Sequence, residues 1–228
     1  MIVFIGDSFT WGQGLPTEKW LTEGKSVEEC NQFIPPKFSP DMYDYEDDKF
    51  RQDFHYPNLV SKYFNKSYAT KWGNGGSNEN IIGILKNMRN QFYADIGDSI
   101  DTFVIQLTCP GRSEYIPSDE NIELEIREID NIITSEMGPD YKNKWVGVSW
   151  RPEVGDILKN KFSENYVPLY YGDKEFTNFE ELYDFTADNF TLKNKHIDIV
   201  DSHFSLEGHE FMAQSIISKL ENSIFINV

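Results

Sequence analysis

Short strand-like runs separated by amphipathic stretches constrain this chain more than any other feature. Residues 2–5 (IVFI), 67–72 (SYATKW), 101–108 (DTFVIQLT) and 145–150 (WVGVSW) are rich in β-branched and aromatic side chains and end at turn residues. Between them lie helical spacings: Leu59, Val60, Tyr63 and Phe64; then Ile81, Leu85, Met88 and Phe92; then Ile122, Ile126, Ile129 and Ile133. A weaker helical pattern surrounds residues 178–185 (NFEELYDF), and Ile197, Ile199 and Val200 suggest a last strand. Residues 205–224 read as a closing amphipathic helix with Phe211, Ile216 and Leu220 toward the core. Strands alternating with helices predict an α/β fold, a mainly parallel sheet built by right-handed crossovers.

At 228 residues, with 39% hydrophobic and 15% aromatic side chains, the chain has material for one generous core, and a single domain over 1–228 is expected. Within it, residues from about 15 to 54 form an aromatic and acidic insertion with no sustained period of either kind, the signature of a lid or binding loop, or of disorder. The 38 acidic and 21 basic residues give a formal charge of −17, which disfavours nucleic acid and anionic membranes as partners. Cys30 and Cys109 lack the spacing of a metal knuckle or a disulfide scaffold. No basic and apolar leader and no run of membrane-spanning length is visible, so a cytoplasmic protein is expected.

The chemistry starts at residues 4–14 (FIGDSFTWGQG), where an apolar strand stops at Gly6 and delivers Asp7 and Ser8 to the carboxyl edge of the sheet. Ligands bind at that edge in open α/β folds. Asp7 or Ser8 as a plain helix cap is the competing reading. A serine needs a base, and the base needs an orienting group. Of the four histidines, His55 and His196 read as surface residues and His209 as packing or surface on the last helix. His203, in residues 197–211 (IDIVDSHFSLEGHEF), falls on the loop before that helix, two residues after Asp201, with Ser205 as the helix cap. In a parallel sheet this loop opens on the same edge as Ser8.

Residues 6–14 (GDSFTWGQG), 74–78 (NGGSN) and 201–209 (DSHFSLEGH), in that order, resemble the sequence blocks of the SGNH, or GDSL-like, hydrolases and span nearly the whole chain. The resemblance implies a three-layer α/β/α fold and a Ser8, His203, Asp201 triad needing no cofactor and no metal. It also implies an oxyanion hole built from the N–H groups of Ser8 and of Gly75, with Gly76 the near alternative, and a third donor. The family supplies that donor from an asparagine after the central strand, where this chain has residues 107–115 (LTCPGRSEY). Asn78 is the first substitute, against an ordinary N-cap role, and Thr108 or Arg112 the next. Phe204 stands where a proline commonly follows the histidine. The long insertion and the altered block are in the style of divergent members from bacterial viruses.

The expected activity is that of a serine esterase or O-deacylase. Asp7, Thr10, Trp11 and Arg112 are candidates to touch a small-molecule or carbohydrate ester, with O-acetylated sugar the first guess because the insertion is rich in rings. Arg112 equally suits an ion pair with Glu114, and Cys109 reads as a small buried residue. Two other classes compete: an inactive binding or structural protein of a larger assembly, favoured by the altered block, and a flavodoxin-like phosphate cradle, which leaves Asp201 and His203 unexplained.

Overall fold

The computed structural model describes residues 1–33, 44–72, 77–92, 100–108, 118–136, 144–149, 151–171, 174–176, 178–195 and 203–222. In chain order the elements are β1 (Ile2–Gly6), α1 (Ser8–Trp11), α2 (Leu15–Thr22), α3 (Val27–Phe33), α4 (Tyr45–Phe54), α5 (Tyr56–Tyr63), β2 (Tyr68–Trp72) and α6 (Asn78–Phe92). Then follow β3 (Thr102–Gln106), α7 (Asp119–Asn131) with a π-helical turn at Ile132–Glu136, β4 (Trp145–Val148), α8 (Pro152–Lys161), β5 (Tyr170–Tyr171), β6 (Lys174–Glu175), α9 (Phe179–Phe190), α10 (Leu192–Lys195) and α11 (Leu206–Glu221).

Four strands form one parallel sheet in the order β2-β1-β3-β4. Every residue of β1, β3 and β4 is buried, whereas the edge strand β2 is half-buried throughout. That difference explains the sequence: strands covered on both faces read as unbroken apolar runs, and the edge strand mixes Thr70 and Lys71 with its rings. Beyond β4, Tyr166 makes a parallel bridge to Gly147, extending that edge of the sheet. The expected strand at Ile197, Ile199 and Val200 lies outside the described residues.

The chain leaves β1 to one side to form β2 and returns to the other side to form β3. With right-handed crossovers, α5 therefore covers one face and α6 and α7 the other. Packing agrees: α5 lies against α11, and α6 lies against α7, which also meets α8. The result is an α/β/α sandwich whose order reverses between β1 and β3. Such a switch point opens a crevice at the carboxyl ends of the strands. Ile122, Ile126, Ile129 and Ile133 are all fully buried, as are Ile216 and Leu220. Tyr63 is 57% exposed, off the apolar face expected of it, and donates its hydroxyl to Glu221 of α11. Among the described residues no helix is long and apolar enough to cross a membrane.

The described parts of the insertion are helical, a correction to the period-free reading of the sequence. A small apolar cluster of Trp20, Cys30 and Leu192 is supplemented by polar nodes, which carry no periodicity to detect. Asp44 caps α4 by accepting from the Asp47 N–H at 2.9 Å, and Ser26 with Glu29 forms a reciprocal capping pair at the start of α3. Asp47 itself is buried between helices, accepting the Trp20 indole N–H at 2.7 Å and the Lys19 ammonium at 2.6 Å. Replacing Asp47 with Ala leaves that indole N–H buried without its acceptor, so urea unfolding should show a loss of about 1–3 kcal/mol; an unchanged midpoint and slope would show that the node contributes nothing.

Candidate active site

β1 ends at Gly6, and the chain turns at once. Asp7 has extended backbone and caps α1, its Oδ1 accepting from the Phe9 N–H at 2.9 Å. Ser8 is the first residue of this one-turn helix, at the carboxyl edge of the sheet beside the switch point. From the far end of the chain His203 reaches the same edge, and its Nε2 lies 2.7 Å from Ser8 Oγ. The two loops that the sequence assigns to one edge thus meet there. Asp201, Gly75, Arg112, Cys109 and His196 lie outside the described residues.

The histidine loop is fixed on both sides. Leu192 donates its N–H to the His203 carbonyl at 3.0 Å, and Ser205 donates to the Phe190 carbonyl at 2.8 Å. Ser205 caps α11, as its position in the sequence suggests, accepting from the Gly208 N–H at 3.4 Å. Glu18, from the insertion, accepts the Leu206 N–H at the start of α11; burial pushes its carboxyl upward and that hydrogen bond draws it partway back. Phe9 fills the space beneath, its ring 4.7 Å from the His203 ring and 4.8 Å from Phe204. Gly14 permits the approach: a Cβ there would lie 2.5 Å from the Phe204 carbonyl and 3.1 Å from His203 Cβ.

The remaining candidates face inward or sideways. Thr10 is fully buried, donating its hydroxyl to Gln106 Oε1 at 2.6 Å, which leaves the Tyr56 hydroxyl as donor in the 2.7 Å contact between Tyr56 and Thr10. Asp7 also accepts from Gln106 Nε2, at 2.6 Å. Trp11 is buried under the Arg51 guanidinium, 3.8 Å from its ring, and 5.1 Å from the half-buried Trp72 ring; Arg51 also donates to the Trp11 carbonyl at 2.7 Å. Asn78 is fully buried at the start of α6, and its Oδ1 accepts from the Thr108 N–H at 2.9 Å. Its amide nitrogen faces the half-buried Glu125 carboxyl of α7, whose pKa burial raises and Asn78 draws partway back, although the pair falls outside strict hydrogen-bond geometry.

Sequence reasoning missed Gln106, Tyr56 and Arg51, each a single polar group inside an apolar or irregular stretch. It also placed His55 on the surface. His55 is buried against the turn at Gly12 with Nε2 3.1 Å from the Tyr68 hydroxyl, because α4 and α5 fold over the serine turn. His209, for which packing was one of two readings, is fully buried, and its Nδ1 accepts from the Tyr56 N–H at 3.3 Å.

No family model matches the chain, and no curated protein matches it. Solved structures do. One is a protein described as lipolytic, of the G-D-S-L family, from Desulfitobacterium hafniense DCB-2, at 12% identity over 96% of this chain and 98% of that one, with a TM-score of 0.47. Another is a carbohydrate esterase, at 14% identity over 98% of this chain and 68% of that one, with a TM-score of 0.46. A variant of a Geobacillus acetyl-xylooligosaccharide esterase aligns at 14% identity over 100% and 96%, also at 0.46. Likeness this distant decides nothing about chemistry, which is read from the chain's own residues.

Burial, then the positive charge of Arg51, drives the His55 pKa down to about 3, and burial, then His55 and His203, drives that of His209 well below its ordinary value. Unfolded imidazoles take protons near pH 6.5. The unfolded chain therefore binds more protons as pH falls through that value, and the stability these groups contribute, complete above it, is lost toward the folded pKa. Between about pH 4 and 6, the unfolding free energy of the His55→Gln variant should vary with pH by about one proton less than that of the wild type. Identical slopes from urea titrations would contradict the buried, neutral state of His55.

Proposed function

We propose that the protein is a serine ester hydrolase of the SGNH type, with Ser8 as nucleophile and His203 as general base. The observation that carries this reading is the 2.7 Å separation of Ser8 Oγ and His203 Nε2, made between loops 195 residues apart at the sheet's switch point. A hydroxyl becomes a useful nucleophile when a base is within hydrogen-bond reach of its proton.

In the proposed cycle Ser8 Oγ bonds to the acyl carbon while its proton passes to His203 Nε2. The tetrahedral oxyanion collapses, the ester C–O bond breaks, and His203 returns the proton to the departing alcohol. Water then repeats the sequence on the acyl-serine, releasing the acid and restoring Ser8. Asp201 is the proposed orienting acid for His203 Nδ1. The oxyanion donors in this account are the N–H of Ser8, which lies in the first turn of a helix where N–H groups have no intrahelical partner, the N–H of Gly75, and a third group. Asn78 is the choice for the third because its Oδ1 is fixed by Thr108, which leaves Nδ2 as the donor end, shared with the neighbouring Glu125 carboxyl. The substrate proposed is an O-acyl carbohydrate or a related small ester.

Hydrolysis of a small activated acetyl ester such as p-nitrophenyl acetate should disappear in Ser8→Ala and largely survive in Cys109→Ala. Full activity in Ser8→Ala would sink the hydrolase reading, and a wild-type protein without activity would favour a binding role for the same fold. Asn78→Ala should lower turnover per folded molecule by about a hundred- to a thousandfold, measured beside its melting temperature. A lower melting temperature with unchanged turnover would move the third donor to Thr108 or Arg112.

A further inference from the structure

We propose that Gln106 is a positioning residue for the nucleophile, its carboxamide joining the two ends of the helical turn that carries Ser8. This rests on the reading of Ser8 as nucleophile and adds a residue that the sequence motifs do not mark. Gln106 closes β3 and is fully buried, following Phe103, Val104 and Ile105 in a strand that is otherwise core. A carboxamide in that setting is costly unless both of its ends are satisfied. Here both ends are spent on the same turn: Nε2 donates to Asp7 Oδ1 at 2.6 Å, and Oε1 accepts from Thr10 Oγ1 at 2.6 Å.

Asp7 and Thr10 flank Ser8 at the cap and the third residue of α1, a helix of four residues. A single turn has little stability of its own, since the cost of fixing its dihedrals is met by very few hydrogen bonds. Gln106 supplies the missing constraint from a neighbouring strand of the sheet, and the Tyr56 hydroxyl of α5 closes the cluster, 2.7 Å from Thr10 Oγ1 and 3.5 Å from Gln106 Oε1. The strand yields space for this arrangement, because a Cβ on Gly6 would lie 2.0 Å from Thr10 Oγ1 and 2.9 Å from Gln106 Cβ.

The chemistry of the two contacts also explains the residue type. One partner is a carboxylate oxygen that needs a donor, and the other is a hydroxyl that needs an acceptor. Glutamine offers one of each, without charge, at this side-chain length. Glutamate would set a second carboxylate against Asp7, and methionine would take one donor from Asp7 and the acceptor from Thr10. In either case Ser8 loses the reference that keeps its Oγ on His203.

The test is the rate at which a fluorophosphonate labels Ser8, located by peptide mapping, in the wild type and in Gln106→Glu, Gln106→Met, Thr10→Val and Thr10→Ser. Melting temperature and the kcat and KM for p-nitrophenyl acetate are recorded for each. Labelling and kcat should fall about ten- to a hundredfold in folded Gln106→Glu, Gln106→Met and Thr10→Val, with KM little changed, while Thr10→Ser, which keeps the hydroxyl, stays near the wild type. Wild-type rates in folded Gln106→Met and Thr10→Val, or a change confined to KM, would overturn the proposal. If the Gln106 variants do not fold, the Thr10 pair decides: equal rates for Val and Ser overturn it. A wild-type protein that takes no label at Ser8 would instead remove the nucleophile reading and this role with it.

Discussion

A carboxylate buried at the end of a central strand must find hydrogen-bond donors, and the site is organised around the way Asp7 finds them. Asp7 is 4% exposed, directly after a strand whose apolar residues are wholly excluded from water. Leaving such a group unanswered would cost several kcal/mol or force its protonation. One donor is the Phe9 N–H, which obliges the chain to turn into α1 and brings Ser8 to the sheet edge. Another is the Gln106 amide, which ties that turn to β3 across the switch point. Local backbone and sheet topology are therefore coupled through one side chain.

The second organising force is the insertion. Its helices α2 and α4 are joined through Asp47, and each sends one residue to the site: Glu18 to the N–H of Leu206 beside the histidine loop, and Arg51 to the ring and carbonyl of Trp11. The described part of the insertion thus braces the serine turn and the histidine loop against each other.

How much of this was legible in the sequence follows from the physics of each element. β1, β3 and β4 were legible because strands buried on both faces leave unbroken apolar runs, and α7 because Ile122, Ile126 and Ile129 repeat on one face. Ser8 and His203 could be paired because glycine-bounded turns and a capped helix mark where loops begin, and parallel topology sends those loops to one edge. The insertion's helices were not legible, since nodes such as Asp47 replace periodicity. Nor was the burial of His55, which depends on tertiary cover by the turn that carries Ser8. Gln106 sits in an apolar run and belongs to no motif; only its partners, remote in sequence, give it meaning. Asp201 and Gly75 keep the roles that resemblance implies for them, as part of the proposal.

In the proposed mechanism Ser8 becomes acylated because His203 takes its proton. Rapid mixing with p-nitrophenyl acetate, acid quenching and peptide mass mapping address this directly. A single acetyl group is expected on Ser8 in the wild type within the first turnovers, and none over the same interval in His203→Ala. Acetylation of another residue at the turnover rate, or equal acetylation of Ser8 when His203 is replaced, would contradict it.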